Sequence, residues 1–128
     1  MVFQLFDEQN SPVKIEKLLS VAERLQLRAS SMRGRIEYYK GVDMINILNA
    51  KHIECEGFEV VLNGDANTKV FLGDIVFRVG KNVVFGVRKD NLALFGGDIF
   101  SNVAISGSDN GKFIRNLIEV MLGSAEFL

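Results

Sequence analysis

The chain of 128 residues is long enough for one domain with a sizeable core and too short for two ordinary domains. Hydrophobic residues make up 48% and charged residues 24%, which excludes a disordered chain or a coiled-coil rod. The net charge of −1 argues against a dedicated nucleic-acid surface. The single Cys excludes a disulfide framework and a Cys-based zinc site, and the single His excludes most His-based sites.

The first predicted elements are a strand and a helix. Residues 2–6 form a short apolar run that ends in a polar cluster, as is typical of a buried strand entering a loop. Ser11 and Pro12 then make a favourable helix start, because Ser accepts from a free backbone N–H and Pro needs no donor in the first turn. We therefore predict a helix over about residues 12–26. Its apolar positions at helical spacing are Ile15, Leu18, Leu19, Ala22 and Leu25.

The next segment is polar and basic and then becomes apolar. A short strand fits the basic part either at residues 27–29 or at residues 35–39. Residues 42–48 lie between Gly41 and Asn49, and their Val and two Ile favour a strand over a short helix.

The middle of the chain predicts antiparallel hairpins. Apolar runs cover residues 58–62, 70–79, 83–87 and 92–95, and short turns rich in Gly, Asn and Asp separate them. A parallel connection needs a dozen or more residues, so these turns join antiparallel neighbours.

The last predicted element is a helix over about residues 109–122. Ser108 or Asp109 would cap its start, and Gly123 falls where a left-handed C-cap is expected. Together the elements predict a single α/β domain over residues 1–128, with a mixed β-sheet, antiparallel hairpins and helices packed on it.

The chain shows no feature of a membrane or secreted protein. Its apolar stretches are far shorter than the roughly 18 residues of a membrane span. Residues 1–7 also lack the basic region of a signal peptide. We therefore expect a soluble, cytoplasmic protein without a membrane span.

Cys55 and His52 come nearest to a catalytic pair. A catalytic thiol of this kind needs a sharp turn with flanking glycines, and no glycine precedes Cys55. Glu54 and Glu56 flank the thiol and would raise its pKa, which opposes activation. We therefore predict no catalytic residues, and we interpret the pair as a small thiol near a loop or surface histidine.

Acidic residues fall at several predicted strand ends: Asp7, Glu8, Asp65, Asp74 and Asp98. If they converge, they would bind a divalent cation or form an acid–base pair, which would make the chain a small metal-dependent hydrolase or transferase. Acidic residues at strand ends are also common turn formers, and this interpretation is favoured. We accordingly predict no metal and no cofactor.

The start of the last helix, residues 106–111, offers free backbone N–H groups that can hold a phosphate or carboxylate. Asp109 already places a negative charge there, so simple capping is favoured over an anion site.

A phosphate- or RNA-binding module is a further alternative. Arg28, Arg33 and Arg35 precede Tyr38 and Tyr39, and arginines with aromatics suit phosphate contact and base stacking. The neutral chain and an acidic residue within the stretch favour a solvated loop or a protein interface, so nucleic acid is the less expected partner.

Three C-terminal segments carry a resemblance to a known family: residues 94–102 (LFGGDIFSN), 109–113 (DNGKF) and 116–118 (NLI). They resemble the closing section of class I glutamine amidotransferase-like domains. The similar branch is the non-catalytic one of gliding-motility and ABC-transporter auxiliary proteins. Residues 6–8 (FDE) and 40–44 (KGVDM) resemble two earlier motifs of that branch in the same order.

The resemblance implies a sheet covered by helices that binds a partner or a small ligand without covalent chemistry. The chain departs from the family pattern by passing straight into the β-rich region 58–87. The candidate binding residues are Asp7, Glu8, Asp74, Asp98, Ser101, Asn102, Asp109 and Asn110.

The observations together favour a non-enzymatic binding or assembly module. No catalytic set is evident, the charge is near neutral, and an antiparallel edge strand can pair with another chain. We expect self-association or a protein partner.

Overall fold

The computed structural model describes residues 2–5, 14–16 and 24–126, and these residues form nine strands and two α-helices. The strands are β1 (Val2–Leu5), β2 (Lys14–Glu16), β3 (Arg24–Arg28), β4 (Met44–Leu48), β5 (Glu59–Asn63), β6 (Lys69–Leu72), β7 (Ile75–Val79), β8 (Val84–Lys89) and β9 (Leu92–Phe95). The helices are α1 (Asn102–Ile105) and α2 (Asn110–Glu126), and short 3-10 helices lie at Ala29–Ser31, Ile36–Tyr39 and Gly80–Asn82.

The largest sheet has the strand order β1-β9-β8-β5. β8 and β9 form a hairpin whose turn, Asp90 and Asn91, places Asp90 at a φ of 53°, a left-handed conformation that Asp tolerates. β5 pairs antiparallel with β8, whereas β1 pairs parallel with β9. The sheet is therefore mixed, and the predicted α/β class with antiparallel hairpins is confirmed.

Two smaller sheets contain the remaining described strands. β3 pairs antiparallel with β4, and Leu48 at the end of β4 forms an isolated bridge with Asp98, in the loop after β9. The other sheet has the order β2-β6-β7, with antiparallel neighbours throughout. β7 is an edge strand, because β6 is the one described strand that pairs with it.

The helix predicted over residues 12–26 is wrong where the structure describes this segment, since β2 and β3 occupy its ends. In β3, Leu25 and Leu27 are buried and Gln26 between them is exposed. This is the period of two that marks a strand, and the helical spacing of the leucines concealed it. Cross-strand pairing decides the outcome over helix propensity. Residues 12–13 and 17–23 of the predicted helix lie outside the described residues.

The strand predictions elsewhere are largely confirmed: β1, β4, β5, β8 and β9 fall on the predicted apolar runs. The run over residues 70–79 is two strands, because Gly73, at a φ of 61°, and Asp74 turn the chain between β6 and β7. The strand considered at residues 35–39 is a 3-10 helix instead.

The predicted last helix is confirmed as α2, although it continues through Gly123 to Glu126, so the predicted C-cap at Gly123 is wrong. Phe113, Leu117 and Met121 lie four residues apart on its buried face. Phe113 stacks on the ring of Tyr39, with centroids 6.0 Å apart. No helix in the part of the chain that the structure describes is long and apolar enough to cross a membrane.

Candidate functional site

The loop after β9 uses its predicted site residues to build α1. Asp98 Oδ1 accepts hydrogen bonds from the backbone N–H groups of Phe100 (2.9 Å) and Ser101 (3.0 Å). Ser101 Oγ in turn accepts from the N–H of Ala104 and caps the helix. Burial raises the pKa of Asp98, but the hydrogen bonds from Ser101 and Phe100 outweigh it and hold the pKa below its usual value. Asn102 is exposed.

Asp109 and Asn110 fasten the start of α2 to β4. Asp109 Oδ2 accepts from the N–H groups of Asp43 (2.8 Å) and Met44 (3.2 Å), and these bonds lower its pKa. Asn110 is fully buried and bonds to the backbone of β4. The sequence offers Ser108 or Asp109 as the cap of α2. Asp109 accepts the first helical bond through its carbonyl, from the N–H of Phe113, and Ser108 Oγ accepts from the N–H of Asn110 at 3.3 Å. These side chains already serve internal partners, which leaves little for a ligand.

The acidic candidates do not form a metal site within the described ranges. No group of three or more His, Cys, Asp and Glu there is placed to hold an ion. Asp74 is exposed at the tip of the β6–β7 hairpin, and Asp65 Oδ1 accepts from the N–H of Asn67 in its own turn. Asp7 and Glu8 lie outside the described residues.

Two of the three candidate arginines are paired with carboxylates. Arg28 Nη1 lies 3.2 Å from Asp43 Oδ2, and Arg35 Nε lies 3.0 Å from Glu59 Oε1. The side chain of Arg33 instead lines a groove described below. The basic stretch therefore does not present three free guanidinium groups.

The two tyrosines of that stretch are not free stacking platforms. Tyr38 is fully buried, and its hydroxyl donates to Glu59 Oε2 at 2.7 Å. The Tyr39 hydroxyl donates to the carbonyl of Val61 at 2.8 Å, and burial raises its pKa strongly. Burial likewise raises the pKa of Tyr38. Both rings belong to the core, so they do not support the RNA-binding alternative.

His52 is not available as a base for Cys55. Its Nδ1 accepts from the N–H of Val84 at 2.9 Å, so the proton of the neutral ring sits on Nε2, which lies 3.0 Å from Glu54 Oε1. Both ring nitrogens are therefore engaged. Burial raises the pKa of the Cys55 thiol, which keeps it protonated and weakly nucleophilic.

A groove of about 720 Å³ opens beside β7. Its lining is apolar on the side of the large sheet, where Val60, Val84 and Val87 belong to one cluster of packed side chains. Charged and polar side chains lie along it as well: Arg33, Glu54, Glu56, Arg78 and Asn82. A volume of this size falls within the range of clefts that receive side chains or small molecules.

The β6–β7 hairpin exposes four large apolar side chains next to that groove. The exposed fraction is 73% for Ile75, 49% for Val76, 47% for Val79 and 45% for Leu72. Three of the four belong to the edge strand β7. We call these four residues the hairpin patch.

Arg78, the one charged residue of β7, contacts neighbouring side chains on the protein surface. Arg78 Nη2 lies 2.9 Å from Glu54 Oε1, and its guanidinium carbon lies 4.0 Å from the centre of the Phe77 ring. The hydrogen bond from His52, aided by Arg78, outweighs burial and lowers the pKa of Glu54, so this carboxylate is anionic at neutral pH. Arg78 is thus engaged with Glu54 and Phe77, so its charge does little to oppose pairing of another strand with β7.

Sequence reasoning missed the hairpin patch, because residues 70–79 look like one buried strand. The signal that was present is Gly73-Asp74, a turn dipeptide inside an apolar run. A turn there makes the second half of the run a separate strand. At a sheet edge such a strand has a neighbouring strand on one side only, so its side chains are more exposed.

Comparison with known proteins adds one relative. No protein-family model and no solved structure matches the chain. An uncharacterized protein of Archaeoglobus fulgidus is 56% identical over 128 residues, covering 98% of this chain and 63% of the relative. The chain therefore spans less than two thirds of that relative. The resemblance to amidotransferase-like domains stays a prediction.

Proposed function

We propose that the chain is a non-enzymatic docking module that receives an extended, apolar strand of a protein partner at the edge of β7. The observation that carries the proposal is the hairpin patch, with Ile75, Val76 and Val79 exposed on a strand whose outer side pairs with no described strand. An exposed edge of this kind is a template for pairing with another chain.

The composition of β7 supports docking over a simple surface strand. Soluble proteins that stay monomeric usually guard an edge with outward charges or proline. β7 has no proline, and its one charged residue, Arg78, is engaged with Glu54 and Phe77. The edge strand β7 is therefore apolar and lacks the outward charges that usually prevent an edge from pairing with another strand.

The neighbouring groove supports the same function. In strand addition, backbone hydrogen bonds give affinity, and pockets beside the edge select alternate side chains of the incoming strand. Phe77, Arg78 and Val79 of β7 line the groove together with the apolar side chains of Val60 and Val84. Full burial of an incoming apolar side chain there would stabilise the complex by about 1.5–3 kcal/mol.

A non-enzymatic role agrees with the chemistry of the described side chains. The thiol of Cys55 has a raised pKa, and both nitrogens of His52 are engaged. Asp98 and Asp109 accept hydrogen bonds from backbone N–H groups, which engages their carboxylates internally. These observations favour binding over hydrolysis or transfer.

The test uses a labelled synthetic peptide with the sequence of residues 73–81 as the incoming strand. We expect its fluorescence anisotropy to rise with added protein, and the double variant Ile75→Lys/Val79→Lys to weaken binding about tenfold or more. The matched control is Ile36→Lys, because Ile36 is 81% exposed but lies in a 3-10 helix outside the hairpin.

The control should bind like the unmodified chain. Equal loss of affinity in Ile36→Lys and in the double variant would contradict docking at β7. Absence of peptide binding up to millimolar protein, with the fold intact by circular dichroism, would refute the proposed function.

A further inference from the structure

His52 is a buried, titratable side chain that docking at β7 does not use. The side chain is 2% exposed, and it lines the groove beside β7. Histidine is the side chain that ordinarily gains its proton between about pH 5 and pH 8. It is also the single histidine of the chain, so a response to pH in this range can be traced to one ring.

His52 joins residues 52–54 to the large sheet. Its Nδ1 accepts a hydrogen bond from the backbone N–H of Val84 at 2.9 Å, and the next residue, Ile53, donates from its N–H to the carbonyl of Val84, also at 2.9 Å. The ring and the backbone of this segment thus engage both polar groups of Val84. A protonated ring cannot keep its part, because it carries a hydrogen on each nitrogen and has no acceptor left.

The same segment contacts β7 on the other side of the groove. The His52 ring meets the Phe77 ring edge-on, with centroids 6.0 Å apart. Glu54 Oε1 lies 3.0 Å from His52 Nε2 and 2.9 Å from Arg78 Nη2. Residues 52–54 therefore touch both β8 and β7, and their position sets the shape of the groove between these strands.

We infer that His52 is a pH-sensitive contact: the neutral ring holds residues 52–54 against Val84, and protonation of the ring releases this segment and opens that side of the groove. In the released state the ring lies in water, where it carries its proton without displacing a buried hydrogen-bond donor. The inference concerns the groove itself and holds whether or not a partner strand docks on β7.

The charged groups around the ring do not remove the conflict at Nδ1. Glu54 favours a protonated ring, but its side chain is 51% exposed and also pairs with Arg78, so water and the guanidinium both weaken that attraction. Arg78 itself opposes a second positive charge nearby. Toward β8 the ring meets the buried N–H of Val84, which would lose its acceptor at a cost in free energy.

The remaining titratable side chains that line the groove do not favour a charged ring either. Arg33 and Glu56 are both exposed and carry opposite charges. Burial raises the pKa of the Cys55 thiol, so this group is neutral in the range where histidine titrates. The contact between His52 and Val84 therefore depends chiefly on the proton of the ring.

The test is amide hydrogen exchange of the unmodified chain, followed residue by residue by NMR from about pH 7.5 to about pH 5. Protection is expressed relative to the exchange rate of an unstructured amide at the same pH. We expect protection of the Val84 amide to fall about tenfold for each pH unit below about 6, because the released ring takes up a proton that the held ring cannot accept. The amides of β9 should keep their protection.

The matched variant is His52→Asn. The asparagine side-chain oxygen can accept from the Val84 N–H as Nδ1 does, and it does not titrate in this range. Protection of the Val84 amide in this variant should not change with pH.

Three results would overturn the inference. The first is constant protection of the Val84 amide down to about pH 5 in the unmodified chain, and the second is an equal loss in His52→Asn. The third is an equal loss at the amides of β9, which would show a general effect of acid on the fold. If His52→Asn does not fold, the comparison of Val84 with β9 within the unmodified chain still decides.

Discussion

Replacing Gly96 by alanine should cost about 3 kcal/mol or more of unfolding free energy. A Cβ at Gly96 would collide with the carbonyl oxygen of Lys51, and it would also lie 2.9 Å from Cγ2 of Ile53. The carbonyl oxygen belongs to the backbone and cannot rotate away as a long side chain would.

The surroundings of Gly96 explain why the structure cannot yield. Its N–H donates to the carbonyl of Phe85 at 2.8 Å, and its carbonyl accepts from the N–H of Lys51 at 2.6 Å. The glycine thus lies between β8 and the segment that carries His52 toward the groove. Urea unfolding of Gly96→Ala would measure the loss directly.

The control for this substitution is Gly111→Ala in α2. No neighbour lies within 4 Å of a Cβ at Gly111, so the added methyl meets open space. We expect this variant to be unchanged or up to about 1 kcal/mol more stable, because alanine favours the helix. Equal stability of both variants would contradict the close approach at Gly96.

Replacing Asn110 by alanine should have the second large effect, about 3 kcal/mol of unfolding free energy. The Asn110 side chain hydrogen-bonds to the backbone of β4, as a neighbouring strand would. Its Oδ1 accepts from the N–H of Asn46 at 2.8 Å, and its Nδ2 donates to the carbonyls of Asn46 (2.7 Å) and Ile99 (2.9 Å). Alanine would leave these buried backbone groups without that partner, which is costly.

Asn116→Ala is the matched comparison on the same helix. Asn116 donates from Nδ2 to the carbonyls of Tyr38 and Lys40, two bonds where Asn110 makes three. Because a smaller network is lost, the cost should be about half that of Asn110→Ala. Thermal and urea unfolding of both variants would rank them, and a larger loss in Asn116→Ala would contradict the role given to Asn110.

The elements that sequence predicted well are those whose local signals agree. The β8–β9 hairpin has two apolar runs around Asp90 and Asn91, and both turn chemistry and strand propensity point the same way. α2 likewise combines polar residues at its start with a wide apolar face. Such agreement between levels leaves few alternative structures.

The failed predictions occur where pairing between strands distant in sequence determines the secondary structure or the exposure of a segment. In β3, the leucines fit both a helical stripe and a strand alternation, and only pairing with β4 resolves the choice. The hairpin patch was missed for a related reason. Exposure of Ile75 depends on β7 being at a sheet edge, which no local pattern states.

The candidate site shows the same division. The sequence makes Asp98, Ser101, Asp109 and Asn110 candidate binding residues at the ends of elements. Their chemistry is nonetheless internal, because each bonds to a nearby backbone group. Residue type and position single out these polar side chains, while the partner of each hydrogen bond is set by the tertiary structure.

Hydrogen–deuterium exchange with and without the peptide of residues 73–81 tests docking at β7 most directly. Backbone amides that gain a strand neighbour exchange more slowly. We expect added protection in the segment that contains β7, with no change in the β8–β9 hairpin. Protection that appears elsewhere while β7 exchanges at its original rate would contradict the docking edge.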